Sequence, residues 1–356
     1  MIGIIGANGD VGNLCYKLLS NYGIKNIKIG FRNNKPLNNS LRNSCYIDLL
    51  DKESCFKFVK NCDSIINCSY SDKKGIKNLL EAVEYYGGKL VDLTHYEDIE
   101  LPEINKSLIC HGVGVSPGLS EALPVIISQK FDYVTDLALY YVVCDKFSYS
   151  SAKSYLNYIN GKNIYPMTEI KNRKLQVIDK QKIYPKFNMF AMNLNMISYM
   201  DFRTLQLSRK LGLKNASFSI CMPEGETYRF LMSGKFRKAA SENDIKKLIE
   251  ASEKDTRNID SNCCIMLDIK GVLSNHILKK CMILKGDSSL EITSSVAVAT
   301  AILLLNKNNT HGIFDMLSFG ESNKILDIIL SVNEHLYYEV IDDTSLSEIR
   351  VSEGEI

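Results

Sequence analysis

Through the first 115 residues, short runs of Ile, Val and Leu alternate with longer stretches whose apolar residues stand three and four apart. The runs Ile2–Ile5, Ile27–Phe31, Cys45–Leu49, Ser64–Cys68, Leu90–Thr94 and Leu108–Val113 are predicted as strands, because a parallel strand covered on both faces reads as a continuous apolar run. Val11–Ser20, Lys52–Val59 and Gly75–Tyr86 are predicted as helices, and Leu79, Leu80, Val83 and Tyr86 form one stripe on the last of them. Alternation of this kind predicts a Rossmann-type, doubly wound parallel sheet over residues 1–120.

The pattern changes after Gly118. A helix is expected over Leu119–Lys130, an alternating strand over Asp136–Val143, and loops with edge strands through the Lys- and Asn-rich stretch Gly161–Lys186. Asp201–Leu211 reads as a helix ended by Gly212, and Ser217–Met222 as a strand. Ser241–Lys254 reads as a helix with Ser241 as N-cap and Glu242 and Asp244 in its first turn. Cys264–Val272 and Ile277–Leu284 are predicted to pair through a turn at Gly271–Asn275, so residues 121–290 form a second α/β domain with a mainly antiparallel sheet. Helices Thr293–Leu305 and Ser322–Asn333 occupy a segment, 291–338, that returns to the first domain. Residues 339–356, with Glu339, Asp342, Asp343, Glu348, Glu353 and Glu355, are expected to be a solvated acidic tail.

Composition narrows the function. The 43 Lys and Arg nearly balance the 41 Asp and Glu, a net charge of +2, which argues against nucleic acid or an anionic membrane as partner. No apolar run nears the ~18–20 residues that span a bilayer, and Val296–Leu305 is expected to be a buried helix. The N-terminus lacks the basic segment of a signal peptide, so a cytoplasmic protein with reduced thiols is expected. The eleven cysteines form no C-x-x-C pair and the five histidines are dispersed, so no metal site is expected.

The sharpest local chemistry is Gly6-Ala7-Asn8-Gly9-Asp10-Val11-Gly12, set between an apolar strand and a helix. Backbone N–H groups there, with the helix dipole, are suited to a pyrophosphate: Gly6 for the turn, Gly9 for close approach, Gly12 for helix–strand contact. The second strand ends Gly30-Phe31-Arg32-Asn33 with no acid for a ribose 2′-hydroxyl, whereas Arg32 suits a 2′-phosphate; NADP(H) is therefore expected over NAD(H). Asp48, at the end of the third strand, is expected beside the adenine. Cys68, Ser69 and Tyr70, after the fourth, are expected along the pyrophosphate and ribose.

Two later segments carry a family likeness. Gly87-Gly88-Lys89-Leu90-Val91-Asp92-Leu93-Thr94 and His111-Gly112-Val113-Gly114-Val115-Ser116-Pro117-Gly118-Leu119-Ser120 resemble the corresponding segments of saccharopine dehydrogenase-like NADP-dependent reductases. The glycine loop, the Arg32-Asn33 pair and the Thr293–Leu305 helix followed by Gly312-Ile313 fit the same order. The resemblance is good over residues 1–125 and thin over 126–290. It implies reduction of C=N bonds of amino-acid-derived imines, or in some branches of C=O or C=C bonds, with Asp92, Thr94, Pro117 and Gly118 near the nicotinamide.

Asp92, His95 and Tyr96 are the candidate acids for such a reduction. Arg229, in the polar stretch after Pro223, is the first choice as a carboxylate anchor, ahead of Arg203 and Arg209, which are expected on the solvated face of a helix. No full basic set for a large dicarboxylate is present, which points away from saccharopine toward an opine-type or secondary-metabolite imine. A reductase of C=O or activated C=C, and a non-catalytic NADP(H)-binding protein, stand as alternatives. A homodimer through the second domain's sheet is expected by analogy.

Overall fold

The computed structural model describes residues 1–32, 43–96, 99–161, 163–178, 194–234, 240–257, 261–319, 322–346 and 348. Its backbone divides into two units: Met1–Ala122 with Leu290–His335, and Leu123–Ser289 with the chain from Leu336 onward. Asn33 lies outside the described residues.

The first unit opens with β1 (Ile2–Ile5), α1 (Asp10–Asn21), β2 (Ile27–Phe31), β3 (Ser44–Tyr46), α2 (Lys52–Val59), β4 (Ser64–Asn67), α3 (Lys73–Tyr86), β5 (Lys89–Asp92) and β6 (Leu108–His111). β1 is buried at all four positions, as a central parallel strand must be. α3 starts where the Asp72 carboxylate accepts the Gly75 N–H and stops at Gly87, whose φ of +65° suits glycine. Its inward residues Ile76, Leu79, Leu80 and Val83 join Phe58, Ile65, Leu90 and Ile109 in one core.

In the second unit follow α4 (Ser120–Ser128), whose first residues still belong to the first unit, β7 (Tyr133–Cys144), α5 (Tyr149–Ile159), β8 (Ile164–Pro166), β9 (Thr168–Lys171), β10 (Lys174–Val177), β11 (Leu194–Asp201), α6 (Phe202–Lys210), β12 (Asn215–Pro223), α7 (Glu226–Ser233), α8 (Glu242–Asp255), β13 (Asn262–Leu273) and β14 (His276–Gly286). Then come α9 (Ser289–Leu305), β15 (Gly312–Asp315), α10 (Ser322–Val332) and β16 (Tyr337–Asp342).

The first sheet is wholly parallel in the order β15-β6-β5-β4-β1-β2-β3. α9 is apolar on all sides and buried, and it is tied to α1 by Ser294 Oγ–H to the Val11 carbonyl (3.3 Å). Among the described residues no helix is long and apolar enough to cross a membrane.

The second sheet runs β10-β9-β12-β7-β13-β14-β16, with β11 also beside β12 and β8 beside β11; β12 and β7 are parallel and the other pairs antiparallel. The fold class is therefore α/β, a Rossmann-like parallel sheet plus a mixed, mostly antiparallel one.

Three expectations are corrected. β13 continues through Gly271 to Leu273, and the turn is Ser274-Asn275, both at positive φ; Gly271 sits at a register shift where a Cβ would meet the Tyr133 carbonyl at 2.6 Å. The acidic tail begins with a strand, since β16 pairs with β14 from Tyr337 to Asp342. The polar stretch holding Arg229 is helical, as α7.

Candidate active site

The carboxyl edge of the parallel sheet gathers the site, because parallel strands end together there and the chain must turn away. Register aligns Gly30, Ile5, Asn67, Asp92, His111 and Asp315 across six strands.

At the β1 end, Gly6 turns the chain at φ +79°, and the N–H groups of Gly6 and Ala7 donate to the Gly30 carbonyl (3.2 and 3.4 Å). Gly9 N–H donates to the Gly6 carbonyl (3.0 Å), and Gly9 is the N-cap of α1 with no side-chain cap. A Cβ at residue 12 would lie 2.3 Å from the Gly6 carbonyl oxygen, so only glycine lets α1 start this close to β1. A Cβ at Gly9 would meet only that same oxygen, at 3.3 Å, leaving the approach to the loop open. Asn8, Gly9 and Asp10 are exposed and Val11 half-buried. Gly6, Gly9 and Gly12, three positions without side chains at a helix start, form a cradle that fits a dinucleotide diphosphate.

The chain after β4 closes one side of this cradle. A Cβ at Gly6 would touch Ser69 N at 3.1 Å, and the Cys68 N–H donates to the Ile5 carbonyl at 3.0 Å. Ser69 gives both its N–H (3.1 Å) and its Oγ–H (2.7 Å) to Asn67 Oδ1. Cys68 Sγ lies 3.9 Å from Cys15 Sγ; that hydrogen bond, followed by burial, holds the Cys68 thiol well above its ordinary pKa. Cys68 is therefore a neutral wall, and Tyr70 is exposed beyond it. Asp48 is half-buried after β3, its Oδ1 accepting the Leu50 N–H (3.0 Å). Arg32 is exposed at the end of β2 and makes no ion pair among the described residues.

At the β5 end, Asp92 is fully buried and its carboxylate organises the neighbourhood. It accepts Asn67 Nδ2–H at 3.1 Å on each oxygen, the Thr94 N–H at 2.8 Å and the Tyr96 O–H at 2.7 Å. Burial pushes its pKa up, and these donors oppose the shift. Burial and the neighbouring Asp92 charge raise Tyr96 well above its ordinary value. The Tyr96 ring stacks on His111 (4.5 Å, 14°), and His111 meets His95 edge-on at 5.1 Å. His95 and His111 are half-buried, whereas Asp92 and Tyr96 are shut off from solvent.

Beyond β6 the Ser116–Pro117 peptide is cis and Gly118 has φ +125°. The buried Glu121 carboxylate fastens this segment, taking the Gly118 N–H at 2.5 Å and the Ser120 Oγ–H at 2.9 Å. Asp92, Thr94, His95 and Tyr96 thus come together, with Gly112, Pro117 and Gly118 beside them. Asn67, His111, Glu121 and Asp315 were not singled out from the sequence. The signal for three of them was a polar residue closing an apolar run, as in Ile65-Ile66-Asn67, Leu108-Ile109-Cys110-His111 and Ile313-Phe314-Asp315.

The second unit rearranges its arginines. Arg229 is exposed on α7, paired with Glu226 one turn back (2.8 Å), an ion pair that leaves it a surface group. Arg203 is not on a solvated face: it is 4 % exposed, its Nη2 lies 3.3 Å from Asp201 Oδ2, and its guanidinium sits 5.2 Å over the Tyr158 ring. Tyr158 O–H also donates to Asp201 Oδ2. Among the described residues no group of three or more His, Cys, Asp or Glu could hold a metal ion.

No family model and no curated protein matches the chain. Among solved structures, saccharopine dehydrogenase (L-Glu forming) from Saccharomyces cerevisiae superposes with a TM-score of 0.64 over 96% of this chain and 99% of its own, at 11% identity. A C. glutamicum DAP dehydrogenase (TM-score 0.45, 13% identity, 93% and 98% covered) and an engineered D-amino acid dehydrogenase (0.45, 12%, 89% and 93%) are also similar. The chain thus has a saccharopine dehydrogenase-like fold.

Proposed function

We propose that this protein is an NADPH-dependent reductase of the C=N bond in an imine formed from an amino acid. The observation that carries the reading is the cradle at the carboxyl edge: residue 12 tolerates no side chain, Gly9 leaves the loop open, and a half-buried histidine stands a few strands away in the same edge. The full-length likeness to saccharopine dehydrogenase supports it at the level of fold.

The N–H groups of residues 10–12, at the start of α1, would hold the diphosphate, with Ser69 and Tyr70 along the ribose and Asp48 toward the adenine. Arg32, unpaired among the described residues, would take a 2′-phosphate, which is the reason for preferring NADPH. When bound, the dinucleotide supplies a hydride. Thr94, Pro117 and Gly118 would line its nicotinamide end, Gly118 being fixed through Glu121. The proton for the substrate nitrogen comes from His95. Asp92 and Tyr96, buried and bonded to each other, serve instead as positioning residues for the strand end that carries His95 and for the His111 ring. Arg229, held by Glu226 at the surface, has no part in this reading.

The reading includes a homodimer through the second unit's mixed sheet. It also places the protein in the cytoplasm, in keeping with eleven cysteines of which none forms a disulfide. NADPH oxidation followed against imines, 2-oxo acid plus amine pairs, aldehydes and enones tests it. Turnover confined to imines supports it; turnover confined to carbonyls or enones, or tight NADPH binding without any turnover, overturns it.

A further inference from the structure

We propose that the amino end of the parallel sheet carries a second anion site, in which Lys89, Lys106 and Lys307 bind the diphosphate group of a small metabolite. The three lysines wall a cavity of about 390 Å³ together with Asn308, Asn309 and His311. Lys89 opens β5, Lys106 lies two residues before β6, and residues 307–311 join α9 to β15. All belong to the first unit. The cavity sits at the ends of β5 and β6 away from Asp92 and His111, about 10 Å along each strand, and is separate from the glycine cradle.

The chain as a whole is nearly balanced in charge, with 43 Lys and Arg against 41 Asp and Glu. Among the described residues, by contrast, no acid lines this cavity. Two nearby acids are committed elsewhere. Asp63, whose charge acts on Lys89, pairs with the Met1 amino group. Glu84 accepts the N–H groups of Asn105 (3.0 Å), Lys106 (3.1 Å) and Ser107 (3.1 Å).

The fold fixes the walls. Those Glu84 bonds tie residues 105–107 to the end of α3, and Ser107 Oγ–H donates to the Val83 carbonyl at 2.9 Å. The Gly312 N–H donates to the Ser107 carbonyl at 2.8 Å, which holds the start of β15 against the same segment. Lys89 is half-buried, and its Nζ donates to the carbonyl of Leu305, the last residue of α9, at 3.0 Å. That bond uses one of the three N–H groups of the ammonium. Burial lowers the Lys89 pKa and the Asp63 charge opposes the shift, so an anion in the cavity would offset the cost of burying this cation.

Three like charges around one cavity repel one another, and an anion that reaches all three relieves more than one ion pair can. Lysine offers a compact charge with rotatable donors, not the planar fork that matches a carboxylate. No arginine lines the cavity among the described residues, so selection follows charge in a small volume. Two linked phosphates carry roughly three negative charges near neutral pH, which matches three ammonium groups. The cavity has room for a diphosphate with a short attached group, not for a whole dinucleotide.

The test is calorimetric titration of pyrophosphate, at low salt and without divalent cations, into wild type, Gly9→Val and Lys106→Gln/Lys307→Gln. Lys89 is left in place because it holds the end of α9. Pyrophosphate is expected to bind wild type and Gly9→Val alike, and the double variant roughly 100-fold more weakly, about 10-fold for each lysine. Citrate, of similar charge, and inorganic phosphate are each expected to bind wild type at least about 10-fold more weakly than pyrophosphate. Isopentenyl diphosphate, a short ester, separates the sources: tighter binding than pyrophosphate supports the site with an ester as its ligand, and weaker binding supports it with the free ion. No binding of pyrophosphate to wild type, or undiminished binding to a double variant with native circular dichroism, overturns the proposal. So does loss of binding in folded Gly9→Val, which would put the ion in the glycine cradle. Citrate or phosphate binding as tightly as pyrophosphate overturns the assignment of a diphosphate.

Discussion

The carboxyl edge of the parallel sheet and the Arg203 cluster of the mixed sheet are both buried polar sites, built in opposite ways. At the edge, Asn67, Asp92, His111 and Asp315 each close a strand, and parallel register brings them into line, so the chemistry of the site is spelled in short local segments. In the second unit, Tyr158 comes from α5, Asp201 from the end of β11 and Arg203 from α6. Their meeting depends on packing between elements, which no local pattern encodes. The first arrangement leaves polar groups half-open beside a glycine cradle; the second seals a cation and a carboxylate against each other. Fixed edges suit ligands, and sealed pairs suit stability.

Substitutions can break this contrast at either end. The largest effect is expected from Gly12→Val, where a side chain would meet backbone at 2.3 Å; the first unit should fail to fold, seen as lost near-ultraviolet dichroism. Soluble, native-like protein would show that α1 can move off β1. Next, Arg203→Ala leaves Asp201 buried without its cation and should cost about 3–5 kcal/mol in urea denaturation, with Arg203→Met costing clearly less. Equal losses would mean that packing, not charge, governs the cluster.

Asp268 sharpens the second half of the comparison. Burial pushes its carboxyl up to about 6, despite the hydrogen bond from the Leu346 N–H. The folded chain therefore holds a proton that the unfolded chain releases near pH 4, so stability falls as pH rises from about 4 to about 6. Asp268→Asn should remove this fall, opening an advantage of about 3 kcal/mol at pH 7 that vanishes below pH 4. An advantage independent of pH would remove titration as its cause. The smallest effect belongs to Arg32→Ala, which should weaken NADPH by about 10-fold and NADH hardly at all in fluorescence titrations. Equal weakening would take away the basis for NADP(H) specificity.

Legibility in the sequence follows the same division. β1, β2 and α2 run between the residues that periodicity predicted, and β13 with β14 paired as expected, because continuous apolar runs and alternation are direct consequences of burial. The glycine loop was readable for a similar reason: Gly6 and Gly12 are required by backbone geometry that no other residue meets. α6 was misread on its exposed face, since Phe202 is 44% exposed while Arg203 is buried, the reverse of what residue type suggests. β16 was missed because an edge strand carrying Glu339 and Asp342 has no apolar run to announce it. The helix carrying Arg229 was not read from its polar stretch because it begins after Gly225 and lacks a side-chain N-cap. His111 was visible only as the residue before a glycine; that its ring stacks on Tyr96, from the neighbouring strand end, is a matter of packing that no local pattern spells.

The most direct test of a dinucleotide cradle at this edge is calorimetric titration of NADPH into wild-type protein and into Gly9→Val. A Cβ at residue 9 meets only one oxygen at 3.3 Å, so this variant should stay folded while its added methyls fill the approach. One NADPH per wild-type chain, at a Kd of about 1–10 μM, with no measurable heat for the folded variant, is the expected result. Unchanged affinity in Gly9→Val, or no binding to the wild type, would contradict it.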